Sequence, residues 1–339
     1  MYRGLVAPKS LKNVAIVVKV TPYESYTQLK AQGMAPVALR WSRLEDRHHQ
    51  HRRCVENVID IVKKAGLNYS VYRRDEIHRG VLDDKDLLIT VGGDGTVLNA
   101  ASFLDDNIPV CGVNSDPSKK ERVIDNKQDE RRSTGQLCAA TSANVDQILP
   151  HILKGDYYSP ALRTRIQTIV RSTMKTTRLP PALNDILIAN PSPAAVSRFR
   201  LEKWSGTAQE QAFSPLKTTE SQEQQSQFSF NVWSSGMWIS TATGSTAAIK
   251  AAGGVIMDTS STELQYQVRE HLVEQGNFAN LDLGDGFVTP DEMLHVRWNS
   301  QYGSVFVDGA HMRQELELGD LLSIDAHAPC LQIFEKPPG

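Results

Sequence analysis

Apolar residues gather into continuous runs in the first half of the chain and spread into alternation in the second. Val14–Val20 (VAIVVKV) is an almost unbroken β-branched run, as expected of a strand buried on both faces. Tyr69–Tyr72, Leu87–Val91 and Ile108–Val113 read as further short strands. Between them the period lengthens. Leu44–Lys64 carries Val55, Val58, Ile59 and Val62 on one face and meets a stop at Gly66. Thr96–Leu104 and Asn144–Leu153 are further helix candidates, the second closed by Gly155. Strands alternating with helices predict an α/β domain with a Rossmann-like parallel sheet over residues 1–155.

The texture changes near Asp156. From about Arg163, RIQTIV, DILIAN, FSFNVW, LHVRW, SVFVD, LLSID and LQIF are short alternating runs separated by turn residues. They predict an all-β, antiparallel domain over residues 156–335. Two stretches read as surface insertions: the charged Ser118–Arg132, and Trp204–Gln227, rich in Ser, Gln, Thr and Glu and expected to be a mobile loop.

Composition narrows the classes. A chain of 339 residues suggests two domains. A hydrophobic fraction of 40% with 22% charged residues is that of an ordinary globular protein. The net charge of −2 offers no field for nucleic acid or an anionic membrane, so neither is expected as a partner. No run reaches the roughly 18 apolar residues that cross a bilayer. The N-terminus has no secretory core with a cleavage site, and EKPPG carries no peroxisomal address. The expected compartment is cytoplasmic, with peroxisome and mitochondrion open. Cys54, Cys111, Cys138 and Cys330 have no C-x-x-C spacing and read as reduced, mostly buried thiols.

The chemistry concentrates in four stretches. In VGGDGTVLNAA (Val91–Ala101), Gly92, Gly93 and Gly95 follow a strand and open a helix near Thr96. Glycine permits positive φ and leaves no side chain between backbone and ligand, and a helix start aims N–H groups at an anion. The loop suits a phosphate. A carboxylate repels phosphate, so Asp94 makes sense as acceptor of a hydroxyl proton or as a group reaching magnesium. No Lys follows the last glycine, so this is not a Walker loop. In ALNDILIAN, Asn184 and Asp185 open an apolar strand, where an amide beside a carboxylate can grip a diol; an Asx turn explains the pair as well. In WISTATGSTAAIKAAGG (Trp238–Gly254), small residues let a ligand approach backbone, with Ser245 or Thr246 expected to cap a helix. In RRSTGQLCAAT, Arg131 and Arg132 could meet phosphate or solvent. His48, His49 and His51 fall on a helix face expected to be solvated rather than to hold metal, and Asp308-Gly309 reads as a hairpin turn that could equally also touch a ligand.

Taken in order, GGDGT, GVNSD, RSTGQLC, ALNDILIA, SSG and TGSTAA resemble the NAD kinase family over about Asp86 to Phe334. GGDGT alone is shared with diacylglycerol kinase, sphingosine kinase and phosphofructokinase relatives. The Asn-Asp pair and TGSTA narrow it, and GVNSDP, RSTGQLCAAT and AAVSRF are most similar to the plant NADH kinase branch, more distantly to the animal mitochondrial enzymes. The resemblance implies the NAD kinase/diacylglycerol kinase-like fold. It implies ATP with Mg²⁺ as phosphoryl donor, NADH or NAD⁺ as acceptor, and a homodimer. It assigns Asp94 as general base on the adenosine 2′-hydroxyl. Gly92, Gly93, Gly95 and Thr96 would line phosphates, with Asn114 among the nucleotide-binding residues. Asn184 and Asp185 would hold ribose hydroxyls, and Thr243, Gly244, Ser245, Thr246 and Ala247 would frame adenosine; no metal ligand is assigned.

This chain departs from the family pattern in several places. Ser234-Ser235-Gly236 stands for the usual Gly-Asp-Gly, and Ala248 for the usual Tyr. The charged insertion splits the motif between Asn114 and Gly135. The closing segment that in the family packs back on the first domain is expected to be short or absent. A lipid kinase and a non-catalytic NAD(H) sensor are the alternative readings.

Overall fold

The computed structural model describes residues 11–117, 133–156, 159–205, 226–272 and 283–336. Both insertions lie largely or wholly outside them. The chain divides into two compact units: Met1–Ala161 with Leu331–Gly339, and Leu162–Cys330.

The first unit is built on one sheet. Its order is Asn68–Arg73, Asn13–Val18, Leu87–Gly92, Val110–Asn114, Leu331–Phe334 and Ala161–Arg163, with the short Ala140–Thr141 also on Val110–Asn114. The four leading strands pair in parallel. All six residues of Leu87–Gly92 are buried, which is why that strand reads as a continuous apolar run. Helix Trp41–Lys64 lays Cys54, Val55, Val58, Ile61 and Val62 on the sheet as an i, i+3, i+4 stripe. Helix Val145–Lys154 does the same with Val145, Ile148, Leu149, Ile152 and Leu153, and ends at Gly155 in the left-handed region, φ 73°. Helix Pro22–Ala31 buries no residue, so no apolar stripe betrays it; Thr21 and Glu24 close a capping box at its start.

The second unit is two antiparallel sheets of six strands. One runs Ser226–Ser234, Ser197–Ser205, Glu292–Trp298, Leu321–Asp325, Gln167–Arg171, Thr176–Arg178. The other runs Asp285–Val288, Leu264–Arg269, Gly236–Ser240, Asp185–Ala189, Tyr302–Val307, Arg313–Glu317. Alternate residues of both enter one shared core, with Phe199 stacked on Trp298 and Ile186, Ile188, Met237 and Ile239 from the second sheet.

Three expectations need correction. The LQIF run is not part of the β domain: Leu331–Phe334 returns to the first sheet, where Ile333 and Phe334 pair in parallel with Val110 and Cys111. The closing segment that packs on the first unit is this short strand, and the first compact unit runs to Ala161 before the chain enters the second. Alternation cannot tell which of two sheets a four-residue strand joins. Trp204 does not belong to a loop; it is a buried residue of strand Ser197–Ser205. The first-domain helix opens at Asp94, not Thr96. Cys54, Cys111 and Cys138 are buried free thiols and Cys330 is half-buried. Among the described residues no helix is long and apolar enough to cross a membrane.

Candidate active site

The chemistry-bearing residues form two groups, one in each unit. In the first, strand Leu87–Gly92 runs directly into helix Asp94–Ala101 with Gly93 as N-cap. The glycines are not there for positive φ: Gly92, Gly93 and Gly95 are absent from the positive-φ positions, and Gly93 sits at φ −143°. Space is the reason. A Cβ on Gly92 would lie 2.2 Å from Thr96 Oγ1, and one on Gly93 2.6 Å from Ser133 Cβ. Thr96 is thus turned back beneath the loop, buried. Gly95 is exposed, and nothing lies within 4 Å of the place its Cβ would occupy. The first helical turn is open to a ligand there.

Asp94 is held by the segment Ser133–Leu137. Its Oδ2 accepts from Ser133 Oγ (2.9 Å), Gly135 N (3.0 Å) and, longer, Thr134 Oγ1 (3.4 Å). Among the described residues its Oδ1 accepts from Leu137 N alone (2.9 Å). Each carboxylate oxygen offers about two lone pairs, so Oδ1 keeps one for a further donor. The RSTGQLC motif owes its chemistry to this grip; Arg131 and Arg132 lie outside the described residues. Gly135 has to be glycine: its φ is +64°, and a Cβ would sit 2.5 Å from Asn114 Nδ2. Asn114 is buried, donating Nδ2 to Ser133 O (3.2 Å) and accepting at Oδ1 from Asp116 N (3.2 Å). It braces the segment that holds Asp94.

Around this group the helix Trp41–Lys64 supplies polar contacts that its sequence did not announce. His51 is not on a solvated face. It is buried, with Nδ1 2.9 Å from Ser115 Oγ. Burial, then the charge of Lys19, lowers its pKa to about 4 and keeps it neutral. His48 meets Thr21 Oγ1 (2.9 Å) and stacks on Tyr23; only His49 is well exposed. Among the described residues no three His, Cys, Asp or Glu side chains cluster as a metal site.

In the second unit, strand Asp185–Ala189 starts beside the turn Thr243–Thr246. Thr241 N donates to Asn184 O (2.9 Å), as does Ser240 Oγ (3.2 Å). A Cβ on Gly244 would lie 2.1 Å from Asn184 O, so the turn rests directly on that peptide. Neither Ser245 nor Thr246 caps the following helix: Ala248–Ala251 has Ala247 as N-cap and no side-chain cap bond. Ser245 is instead buried, donating to Ala242 O (2.7 Å) and accepting from Met257 N (3.0 Å). Thr243 and Ala247 are half-buried; Thr246 and Ala248 face solvent. Ser235 donates its hydroxyl to Glu270.

Asp308 is more than a hairpin turn residue. Held at φ 48°, it accepts at Oδ2 from Leu183 N (2.8 Å) and at Oδ1 from Asn184 N (2.7 Å) and Asp185 N (3.2 Å). It thereby fixes the backbone on which Asn184 and Asp185 stand. Burial raises the Asp185 carboxyl to about 7, and the Asp308 charge pushes the same way. Burial also raises Asp308, to about 6, against the pull of its three N–H donors and Arg165. Those donors keep the negative charge on Asp308, so Asp185 is the member that takes a proton. The Asp185 and Asn184 side chains accept or donate no hydrogen bond among the described residues, leaving both for a ligand.

Residues 13–116 match the model of the ATP-NAD kinase N-terminal domain. A protein of Oryza sativa named "Probable NADH kinase" is 37% identical over 293 residues, 86% of this chain and 83% of its own. The "NADH kinase" of Arabidopsis thaliana is 37% identical over 325 residues, 94% and 95% of the two chains. The structure of yeast NADH kinase complexed with NADH shares the fold at TM-score 0.61 and 16% identity, covering 97% of this chain and 84% of that one. A parallel sheet ending in a glycine loop around one braced carboxylate, an antiparallel unit presenting Asn184 and Asp185, and relatives matching nearly end to end make this chain a member of the NAD kinase family.

Proposed function

We propose that the chain transfers the γ-phosphoryl group of ATP to the 2′-hydroxyl of the adenosine ribose of NADH or NAD⁺. The products are ADP and NADPH or NADP⁺, the bond from the γ-phosphorus to the β-phosphate oxygen breaking as the new one forms. The observation that carries the proposal is the state of Asp94: braced on Oδ2 by three donors, yet left with an open lone pair on Oδ1, beside a helix start whose Gly95 face is bare.

Phosphoryl transfer asks mostly for positioning and charge neutralisation. The bare first turn of helix Asp94–Ala101 offers N–H groups to donor phosphate oxygens. Asp94 Oδ1 accepts the hydroxyl proton as the 2′-oxygen attacks phosphorus; the Oδ2 bonds keep the carboxylate from swinging away. Asn184 and Asp185 supply an amide and a partly protonated carboxyl to ribose hydroxyls, a pair able to donate as well as accept. Mg²⁺ enters on the ATP phosphates as part of the substrate, since its preferred partners there are phosphate oxygens and water. NADH is the preferred acceptor on the strength of the plant relatives' names. The compartment we favour is the cytoplasm, and the assembly a homodimer.

The test is a coupled assay for NADP(H), offering purified chain NADH and NAD⁺ separately with ATP and Mg²⁺. Faster product from NADH supports the full proposal; faster product from NAD⁺ retains the kinase and removes the preference. Dinucleotide binding with no product would leave a sensor. Phosphorylation of diacylglycerol or sphingosine instead would make the chain a lipid kinase.

A further inference from the structure

The sheet of the first unit reverses its winding at its first strand. Asn13–Val18 pairs with Asn68–Arg73 on one side and with Leu87–Gly92 on the other. In such a sheet, ligands enter the crevice at the C-terminal ends of the two strands that flank the reversal. One lip of that crevice is the glycine loop. The other is Lys19, the residue after Val18. Its N–H donates to Val91 O (3.1 Å), and its Cβ lies 3.2 Å from where a Cβ on Gly92 would stand. The missing side chain of Gly92 is what lets Lys19 lie against the loop.

Among the described residues no carboxylate is free to pair with Lys19. Asp116, the carboxylate that acts on Lys19, is already gripped by Arg47 through Nε (2.8 Å) and Nη2 (2.7 Å). Lys19 forms no ion pair among the described residues. His51, which feels the charge of Lys19, is held neutral and adds no charge of its own. Burial lowers the Lys19 pKa, Asp116 opposes this and Arg47 adds to it. A partly buried ammonium without an ion pair is costly until an anion reaches it, and Lys19 stands beside the glycine loop at the C-terminal end of its strand.

We propose that Lys19 is a phosphate-binding residue, its ammonium holding a non-bridging oxygen of the polyphosphate donor against the Gly92 side of the loop. The identity of the donor rests on the kinase reading; the anion site does not. The test is calorimetric binding of inorganic tripolyphosphate to the full chain at fixed low salt, for wild type, Lys19→Met, Lys19→Gln and Lys19→Arg. Loss of one charge-assisted contact should weaken binding by about 10-fold or more in the Met and Gln variants, with Arg returning to within about threefold of wild type. The KM for ATP should rise by a similar factor while the KM for the dinucleotide stays within about twofold. Wild type that does not bind tripolyphosphate at millimolar concentration overturns the proposal. So does a folded Met or Gln variant that binds it within twofold of wild type. Tripolyphosphate binding through Lys19 without any NADP(H) formed would sink the kinase reading and leave this site standing. Turnover indifferent to Lys19 would do the reverse.

Discussion

Replacing Asp94 by Asn tests two roles of one side chain, and the structure separates them. Asp94→Asn keeps the shape but exchanges one acceptor oxygen for an NH₂ group. If the NH₂ takes the Oδ1 place it faces Leu137 N–H; in the Oδ2 place it faces Gly135 N–H. The hydroxyls of Ser133 and Thr134 can rotate to accept, but a backbone N–H cannot. Either way one backbone donor loses its partner and the remaining bonds lose their charge assistance, a cost of about 1–3 kcal/mol. For a domain of this size that lowers Tm by about 2–10 °C without unfolding it. Turnover should fall further than loop loosening explains, by about 10²–10⁴-fold, because no carboxylate remains to take the proton. Ser133→Ala is the control: it removes one donor to Oδ2 and should cost about 1 kcal/mol while keeping the rate within about tenfold. The assay pairs NADP(H) formation with thermal melting and dinucleotide binding. A rate in Asp94→Asn above a tenth of wild type, or an equal loss in Ser133→Ala, would refute the general-base argument.

Further expectations follow from the second unit. Gly244→Ala would drive a methyl to 2.1 Å from Asn184 O, which is backbone and cannot yield; Tm should fall by several degrees and dinucleotide affinity with it, and calorimetry showing unchanged affinity would contradict the placement. Asp185→Asn should raise Tm at pH 8, where the wild type bears a second buried negative charge, and should weaken dinucleotide binding; a lower Tm at that pH would overturn the account of the pair. His295 is buried against Trp204 and its pKa is lowered to about 4, so the unfolded chain binds the proton first. Stability from its neutral form is lost as pH falls from about 6.5 towards about 4, and His295→Leu should gain on wild type across that window; a difference independent of pH would refute it.

The pattern along the chain was enough to place the two textures, because burial on both faces of a parallel sheet leaves unbroken apolar runs and burial on one face of an antiparallel sheet leaves alternation. It offered Asp94, Asn184, Asp185 and the TGST turn as candidates, since small and polar residues between apolar segments suit ligand contact, though turns use the same residues. What it left open depends on partners distant in sequence. Asp94 meets Ser133–Leu137 across a charged insertion, and two of its four donors are backbone N–H groups, which every residue carries and no pattern displays. Asp308 looked like a turn because its neighbours make it one; only the register of Tyr302–Val307 on Asp185–Ala189 brings it beneath Leu183–Asp185. His51 sat in a run of charged residues, and its burial is decided by the approach of Ser115. The return of Leu331–Phe334 to the first sheet follows the same rule: local periodicity tells that a strand forms, and the free edge of Val110–Asn114 decides where it goes.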